Sequence, residues 1–359
     1  MKKDIEIKLH KKRTKKLKIM PEFIVNYIMI MQEKYGINTQ IAYLIDYNIY
    51  LEYLLTLPQF YKYKEINEFR PDDLGSRYLN ENDIWGFLDY LNGYKKIYIT
   101  KTGKKIEKHF SNTRVGKARK LASIHKLYKY LSRRYDIDDI TKHIEIQIKQ
   151  KKEIRDRLNN KEINLLINTI QFDKNIKNDT LLKYHKKVKL RDLCIVLLLG
   201  LTGIRVSELI QLDISDISIH DEKMIVIRKS GNQDMLFIPD AALPFLKEYI
   251  DFRNNIKGVS EEYKNALFLS LHKKRINQES IRNLLKKYKT RANIQIDITP
   301  HTLRRTFATH LLNIENGSIE LVAQQLGHSS IETARRFYAD LNEETIKKAT
   351  KNFTYNKNI

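Results

Sequence analysis

Cysteine, glycine, proline and long apolar runs are all scarce in this sequence. The single cysteine, Cys194, excludes an internal disulfide. It sits inside the apolar run Leu193 to Leu199, where a thiol reads as a small buried side chain, and a reducing cytoplasm fits. Glycine and proline number 12 and 6 in 359 residues, so turns are few and helices should dominate. No apolar run reaches the roughly 20 residues that span a bilayer. The stretch from Met1 to Lys18 is charged throughout and has no signal-peptide pattern. Acidic residues are also short, 43 Asp and Glu against 66 Lys and Arg, which gives a net charge of +23. That excess draws polyanions; membranes and ribosomes attract such chains as nucleic acid does. With 42% hydrophobic residues the chain is long enough for two cores.

Residues 1–18 combine many lysines with little apolar periodicity and read as a mobile basic arm, either touching phosphates or merely solvated. A helical pattern runs from Pro21 to Lys34. Another starts near Asn38, with Tyr43, Tyr47, Tyr50 and Leu54 on one apolar face. Asn80 can cap a helix, with Asp83 three residues on and Ile84, Phe87, Leu88 and Leu91 facing inward. Between Tyr94 and Phe110 the period changes to two around Thr102-Gly103-Lys104, which predicts a basic hairpin, with a solvated loop as the alternative. Residues 115–131 form a helical pattern with Lys117, Arg119, Lys120 and Lys126 on its polar side, the front-half surface best suited to lie on nucleic acid. These patterns divide the chain into an arm (1–18), a helical domain (19–145) with the hairpin inserted at 94–110, and a charged linker (146–158). A second domain (159–341) opens where Asn159 can cap a helix with Glu162. A last helix or tail follows (342–359). The fold class is mainly α with a small antiparallel β-sheet.

The second domain concentrates the chemistry. Residues 200–203 read as a turn and 204–212 as a helix, which puts Arg205 in a first helical turn beside N–H groups that favour an anion. A planar guanidinium holds two phosphate oxygens at once; taken alone, Arg205 is equally a salt-bridge partner for Glu208. Residues 224–229 and 234–238 flank Ser230-Gly231-Asn232-Gln233, a hairpin with Lys229 at the tip of its first strand. Thr299 can cap a helix with Pro300 at its first position, so His301 and Arg304 share one face while Leu303, Phe307 and Leu311 bury another. Ser318 starts a helix that Gly327 ends, with His328 just beyond. Ser329 with Glu332 then makes a capping box for a short helix ending at Tyr338. Singly, these are an exposed lysine, a chance His and Arg pair, and a packed tyrosine. Jointly they supply what attack on a phosphodiester needs: a nucleophile, a proton for the departing oxygen, and positive charge where the non-bridging oxygens gain negative charge.

In this order and spacing, Thr202-Gly203-Ile204-Arg205, the Lys229 hairpin, His301 to Arg304, Leu326-Gly327-His328 and Tyr338 resemble the tyrosine recombinase and integrase family, especially its simpler bacterial members of the Xer type. The resemblance is strongest from Leu197 to Leu341 and weaker through the front domain. It implies a C-shaped clamp of a helical, SAM-like core-binding domain and a mixed α/β catalytic domain around DNA. By position, Arg205 and Arg304 would grip the scissile phosphate and Lys229 would protonate the leaving 5′ oxygen. His301 would share acid–base work, His328 would donate a hydrogen bond to the phosphate, and Tyr338 would form a 3′-phosphotyrosyl link. Also implied are double-stranded DNA with an inverted-repeat core site and a homo-tetramer, or a hetero-tetramer with a paralogue, on that DNA. An accessory directionality factor, a tail docking on the neighbouring protomer and a cytoplasmic, nucleoid-associated location complete the expectation, with no cofactor, metal, ATP or membrane. Three features depart from the family pattern. Arg305 follows the second arginine where many relatives have histidine. The interval from His328 to Tyr338 is ten, with Phe337 at the commoner nine-residue position. The turn after Lys229 is lengthened.

Site-specific recombination, serving a mobile element or Xer-type resolution, is therefore the leading expectation. A type IB topoisomerase uses much the same residues, and a non-catalytic DNA-binding protein of the same descent would tolerate their loss. The compact front domain and the tail favour the recombinase.

Overall fold

The computed structural model describes residues 2–100, 102–148, 157–228, 231–313 and 319–327. Lys229, His328, Tyr338, the short helix ending at Tyr338, the tail and most of the linker lie outside the described residues. The chain divides into two compact units, Ile5–Lys152 and Glu153–Ile359 with Met1–Asp4.

The first unit is built from α1 (Lys3–Leu17), α2 (Glu22–Met31), α3 (Ile37–Leu54), α4 (Glu81–Tyr90), the strands β1 (Tyr94–Ile99) and β2 (Lys105–Phe110), and α5 (Arg114–Tyr135). Its core centres on α3, whose Leu44, Tyr47, Tyr50, Leu51 and Leu54 are fully buried and which packs against α5, α2 and α4. A buried tyrosine usually finds a partner for its hydroxyl. Tyr50 and Tyr128 partner each other, their hydroxyl oxygens 2.9 Å apart. Asn80 caps α4 by accepting from the Asn82 N–H at 2.8 Å, while the Asp83 carboxylate accepts from the Asn80 N–H at 2.8 Å. Strands β1 and β2 pair antiparallel from Tyr94 opposite Phe110 to Ile99 opposite Lys105.

Two expectations for this half need correction. The arm at residues 1–18 is helical from Lys3 to Leu17. Lysine and arginine are good helix formers, and Ile5, Leu9 and Arg13, four residues apart, form a half-buried stripe, with Leu17 packed on the core. Lys120, expected on the polar side of α5, is buried and only 7% exposed, its Nζ donating to Asn112 Oδ1 at 2.8 Å.

The second unit contains α6 (Asn160–Gln171), α7 (Asp179–Thr202), α8 (Val206–Leu209), β3 (Ile217–Ser218), β4 (Lys223–Ile227), β5 (Gln233–Phe237), α9 (Leu243–Asn254), α10 (Gln278–Ala292), α11 (Pro300–Asn313) and α12 (Ile319–Leu326). Asn159 and Glu162 form the expected reciprocal cap of α6, each bond 2.9 Å. The three strands make one antiparallel sheet in the order β3-β4-β5, with Met224 opposite both Ile217 and Leu236. Helix α7 runs through the core, Leu193 to Leu199 being buried, and burial pushes the Cys194 thiol pKa up. Asp192, fully buried at the same level, accepts from the Tyr288 hydroxyl at 2.8 Å and from Lys287 Nζ at 2.9 Å. Residues 2–4 belong to this unit: Asp4 pairs with Arg275 Nε at 2.7 Å, and Lys2 with Asp213 at 2.9 Å.

Residues 200–202 are the last turn of α7 rather than a loop, and the chain turns at Gly203, φ 66°. A Cβ there would lie 2.5 Å from Phe307 Cδ1 and 2.6 Å from Leu326 Cδ2, so conformation and space both require glycine. The helix that follows is a single turn. Arg205 consequently stands at its N-cap, with extended backbone (φ −71°, ψ 145°), rather than within its first turn.

Candidate active site

Three arginines from separate parts of the second unit converge on the C-terminal end of α12. Arg228, directly after β4, donates from Nη2 to the Gln325 carbonyl at 3.1 Å. Arg304 on α11 donates from Nη2 to the Leu326 carbonyl and from Nη1 to the Gly203 carbonyl, both at 2.5 Å. Arg205 donates from Nη2 to the Gly327 carbonyl at 2.9 Å. The last carbonyls of a helix lack intrahelical partners and carry the negative end of its dipole, so cations belong there. Gly327 closes the helix at φ 58°, and a Cβ on it would lie 2.6 Å from Arg228 Nε.

Glu208 provides the counter-charge and is 2% exposed. Its Oε1 accepts from Arg205 Nη1 at 2.8 Å, and its Oε2 accepts from the Arg205 backbone N–H at 2.9 Å and from Arg228 Nη1 at 3.1 Å. Asp234 on β5 accepts from Arg228 Nε at 2.8 Å. Among the described residues, two carboxylates stand against three guanidiniums in this cluster. Arg205 opens part of this charge to solvent, its side chain 28% exposed, whereas Arg304 is buried.

Thr299 caps α11 as expected, its Oγ1 accepting from the Thr302 N–H at 3.1 Å. His301, exposed in the first turn of that helix, lies one turn before Arg304. Partial desolvation, then the charges of Arg304, Arg305, Arg205 and Arg282, hold its imidazole below the ordinary 6.5. A neutral imidazole at pH 7 can accept a proton at one nitrogen while donating at the other. The bond from Arg304 to the Gly203 carbonyl joins α11 to the turn after α7, and His301 opens that same helix. Of the six residues expected to carry chemistry, the described residues thus bring together Arg205, His301 and Arg304. For Lys229 and His328 the residue just before each, Arg228 and Gly327, is anchored in the same cluster. Tyr338 is outside the described residues.

Reading the sequence missed Arg228 and treated Glu208 only as a partner for Arg205. Its place shows only once β4 is defined: Met224, Val226 and, just past the strand, Arg228 follow one alternating row, and all three are buried.

The four α5 cations are all engaged within the first unit. Arg119 grips the buried Asp46 in a fork of 2.7 and 2.6 Å. Lys126 donates to the hydroxyls of Tyr43 and Tyr35 at 2.7 and 3.0 Å, which raises its pKa. Lys117 donates to Asn92 Oδ1 at 2.5 Å, and Lys120 is buried as described above. Among the described residues no cluster of His, Cys, Asp and Glu could hold a metal ion, and no helix is long and apolar enough to cross a membrane.

The phage integrase family matches residues 174–345, the span that holds this cluster. Tyrosine recombinase XerD of Staphylococcus haemolyticus is 33% identical over 240 residues, 66% of this chain and 75% of that protein. The chain belongs to the phage integrase family of tyrosine recombinases and is a site-specific recombinase. Within that family it is of the Xer-like type: tyrosine recombinase XerS of Streptococcus agalactiae is 28% identical over 346 residues, 91% of this chain and 94% of that one. Among solved structures, the XerH recombinase bound to its difH substrate aligns with a TM-score of 0.56 at 20% identity, covering 87% of this chain and 78% of that one. The Tn1549 transposon integrase in complex with a circular intermediate DNA aligns at 0.59 and 16% identity, covering 91% and 99%. The likeness to these two is one of fold.

Proposed function

We propose that this recombinase cuts and rejoins double-stranded DNA at an inverted-repeat core site through a 3′-phosphotyrosine, without metal, ATP or other cofactor. The observation that carries the reading is the gathering of Arg205 and Arg304 around the end of α12, with His301 one turn before Arg304 on the same helix. The Tyr338 hydroxyl oxygen attacks phosphorus and its proton passes to His301. The bond from phosphorus to the 5′ oxygen breaks, its electron pair staying on that oxygen, which takes a proton from Lys229. Arg205 and Arg304 offset the charge that grows on the non-bridging oxygens, and His328 donates a hydrogen bond there. The phosphotyrosine preserves the bond energy, so a 5′ hydroxyl of a partner strand reverses the steps and reseals the backbone.

Four protomers, alike or including a paralogue, would assemble on two duplexes, with residues 342–359 docking on a neighbour and a directionality factor choosing the outcome. Residues 19–145 would hold the core site, with Lys117, Arg119 and Lys126 meeting phosphates and the buried Lys120 serving the packing of α5 instead. The second domain, 159–341, would carry the chemistry, and 146–158 the link between them. The cytoplasm and its nucleoid are the proposed location. Mobile-element integration or excision and Xer-type resolution are both served by this chemistry. Nothing in the fold or the relatives favours topoisomerase action.

The test uses a nicked suicide duplex built on the inverted repeat that the purified protein selects from a randomised pool. Wild type should form a covalent adduct, and Tyr338→Phe should form none. An adduct that survives Tyr338→Phe, or a wild type that forms none, refutes the reading.

A further inference from the structure

Arg228 is a charged residue where the strand pattern calls for an apolar one. It continues the inward row of Met224 and Val226, is only 8% exposed, and has each side-chain nitrogen engaged: Nε on Asp234, Nη1 on Glu208, Nη2 on the Gln325 carbonyl. Burying a guanidinium is expensive, and an apolar residue of similar volume would often serve stability as well, so a group kept there at that cost points to a role in register. Its backbone is fixed too. The Arg228 N–H donates to the Asn232 carbonyl at 2.8 Å, and the Arg228 carbonyl accepts from the Gly231 N–H at 2.9 Å. Both strands of the β4–β5 hairpin, the N-cap of α8 through Glu208, and the end of α12 therefore meet on one side chain. The next residue in the chain is Lys229.

We propose that Arg228 is the positioning residue of the acid step. It fixes the root of the hairpin against Glu208 and Gln325, so that Lys229 meets the leaving 5′ oxygen while Arg205 is held by the other oxygen of the same carboxylate. Arg228 touches no substrate; it acts through Lys229. The inference rests on the strand-cleavage reading above.

Replacing the bridging 5′ oxygen by sulfur separates this role from a general loss of structure. Phosphorus–sulfur cleavage releases a thiolate, whose conjugate acid has a pKa of roughly 8.5, and such a group leaves without an acid. The full-length protein would be assayed on the suicide duplex in oxygen and sulfur forms. Arg228→Met should cleave the oxygen duplex about 100-fold slower than wild type, the lower range for losing a general acid, and come within about threefold of it on the sulfur duplex. Arg228→Lys, which keeps the charge but loses the fork, should show the same pattern with a smaller deficit. DNA affinity should stay within about twofold for both, because no phosphate contact is removed. If neither variant folds by circular dichroism, Asp234→Asn carries the test: its half-exposed carboxylate is the least buried anchor, and the variant should slow the oxygen duplex alone. Equal deficits on both duplexes, or wild-type rates on the oxygen duplex, overturn the inference while a wild-type adduct leaves the reading intact. Absence of any wild-type adduct overturns both.

Discussion

Gly327→Ala would test the packing at the end of α12 with one methyl group. Two costs are expected. A non-glycine residue held near φ 58° costs about 1 kcal/mol in backbone energy. The new Cβ would also sit 2.6 Å from Arg228 Nε and 2.7 Å from its Cζ, so the guanidinium must shift and its bonds to Glu208, Asp234 and Gln325 must loosen. Hydrogen bonds to charged groups contribute about 1.5–3 kcal/mol each, so losing even one brings the total to about 2.5–4 kcal/mol. Gly231→Ala is the internal control: Gly231 has φ 92°, but a methyl group there would meet nothing within 4 Å, so only the backbone cost of about 1 kcal/mol applies. Urea unfolding followed by circular dichroism, with unchanged slope, would give both differences. Combining Gly327→Ala with Arg228→Met removes the clash, and the double variant should lose less than the sum of the singles. Equal costs at Gly327 and Gly231, or strict additivity with Arg228→Met, would refute the reasoning.

Other expectations concern the site and the front unit. Arg304→Lys cannot span the Gly203 and Leu326 carbonyls together, and adduct formation should fall by about 100- to 1000-fold in single-turnover assays. His301 has its pKa below the ordinary 6.5 in the folded protein, so the neutral form, full above that value, is lost as pH falls through the lowered one; cleavage rate should drop on the acid side with a midpoint below 6.5, and His301→Gln should flatten that limb. In filter-binding titrations, Lys117→Ala should lower the slope of log Kd against log salt by about 1, whereas Lys120→Ala, at a buried position, should leave the slope unchanged and reduce thermal stability. Asp46→Asn leaves the Arg119 fork and the Ser123 hydroxyl poorly matched and should cost about 1–3 kcal/mol in urea unfolding.

Elements with a local signature could be read from the chain. Asn80, Asn159 and Thr299 mark helix starts because a side-chain acceptor must meet free N–H groups, and all three do so in the structure. The hairpin from Tyr94 to Phe110 showed itself through its period of two. Features set by tertiary contact were hidden. The helix at Lys3–Leu17 has too few apolar residues among its cations to stand out, and its burial depends on what it packs against. Arg205 reads as helical because nothing local reveals that Gly203 must accommodate Phe307 and Leu326. Asp192 and Lys120 look exposed by residue type, yet Tyr288 and Asn112 pair with them below the surface. In the site, the order and spacing of Arg205, His301 and Arg304 pointed to the chemistry, whereas Arg228 is visible only once β4 has a definite inner face.

The end of α12 bears on how the charge of this site is held in place. Three like charges crowded into one corner repel each other, and what quiets them is the carboxylates of Glu208 and Asp234 together with backbone oxygens at the end of a helix of only eight residues. A shift of that helix end would change how those charges are compensated, and an arriving phosphate finds positive charge already in place.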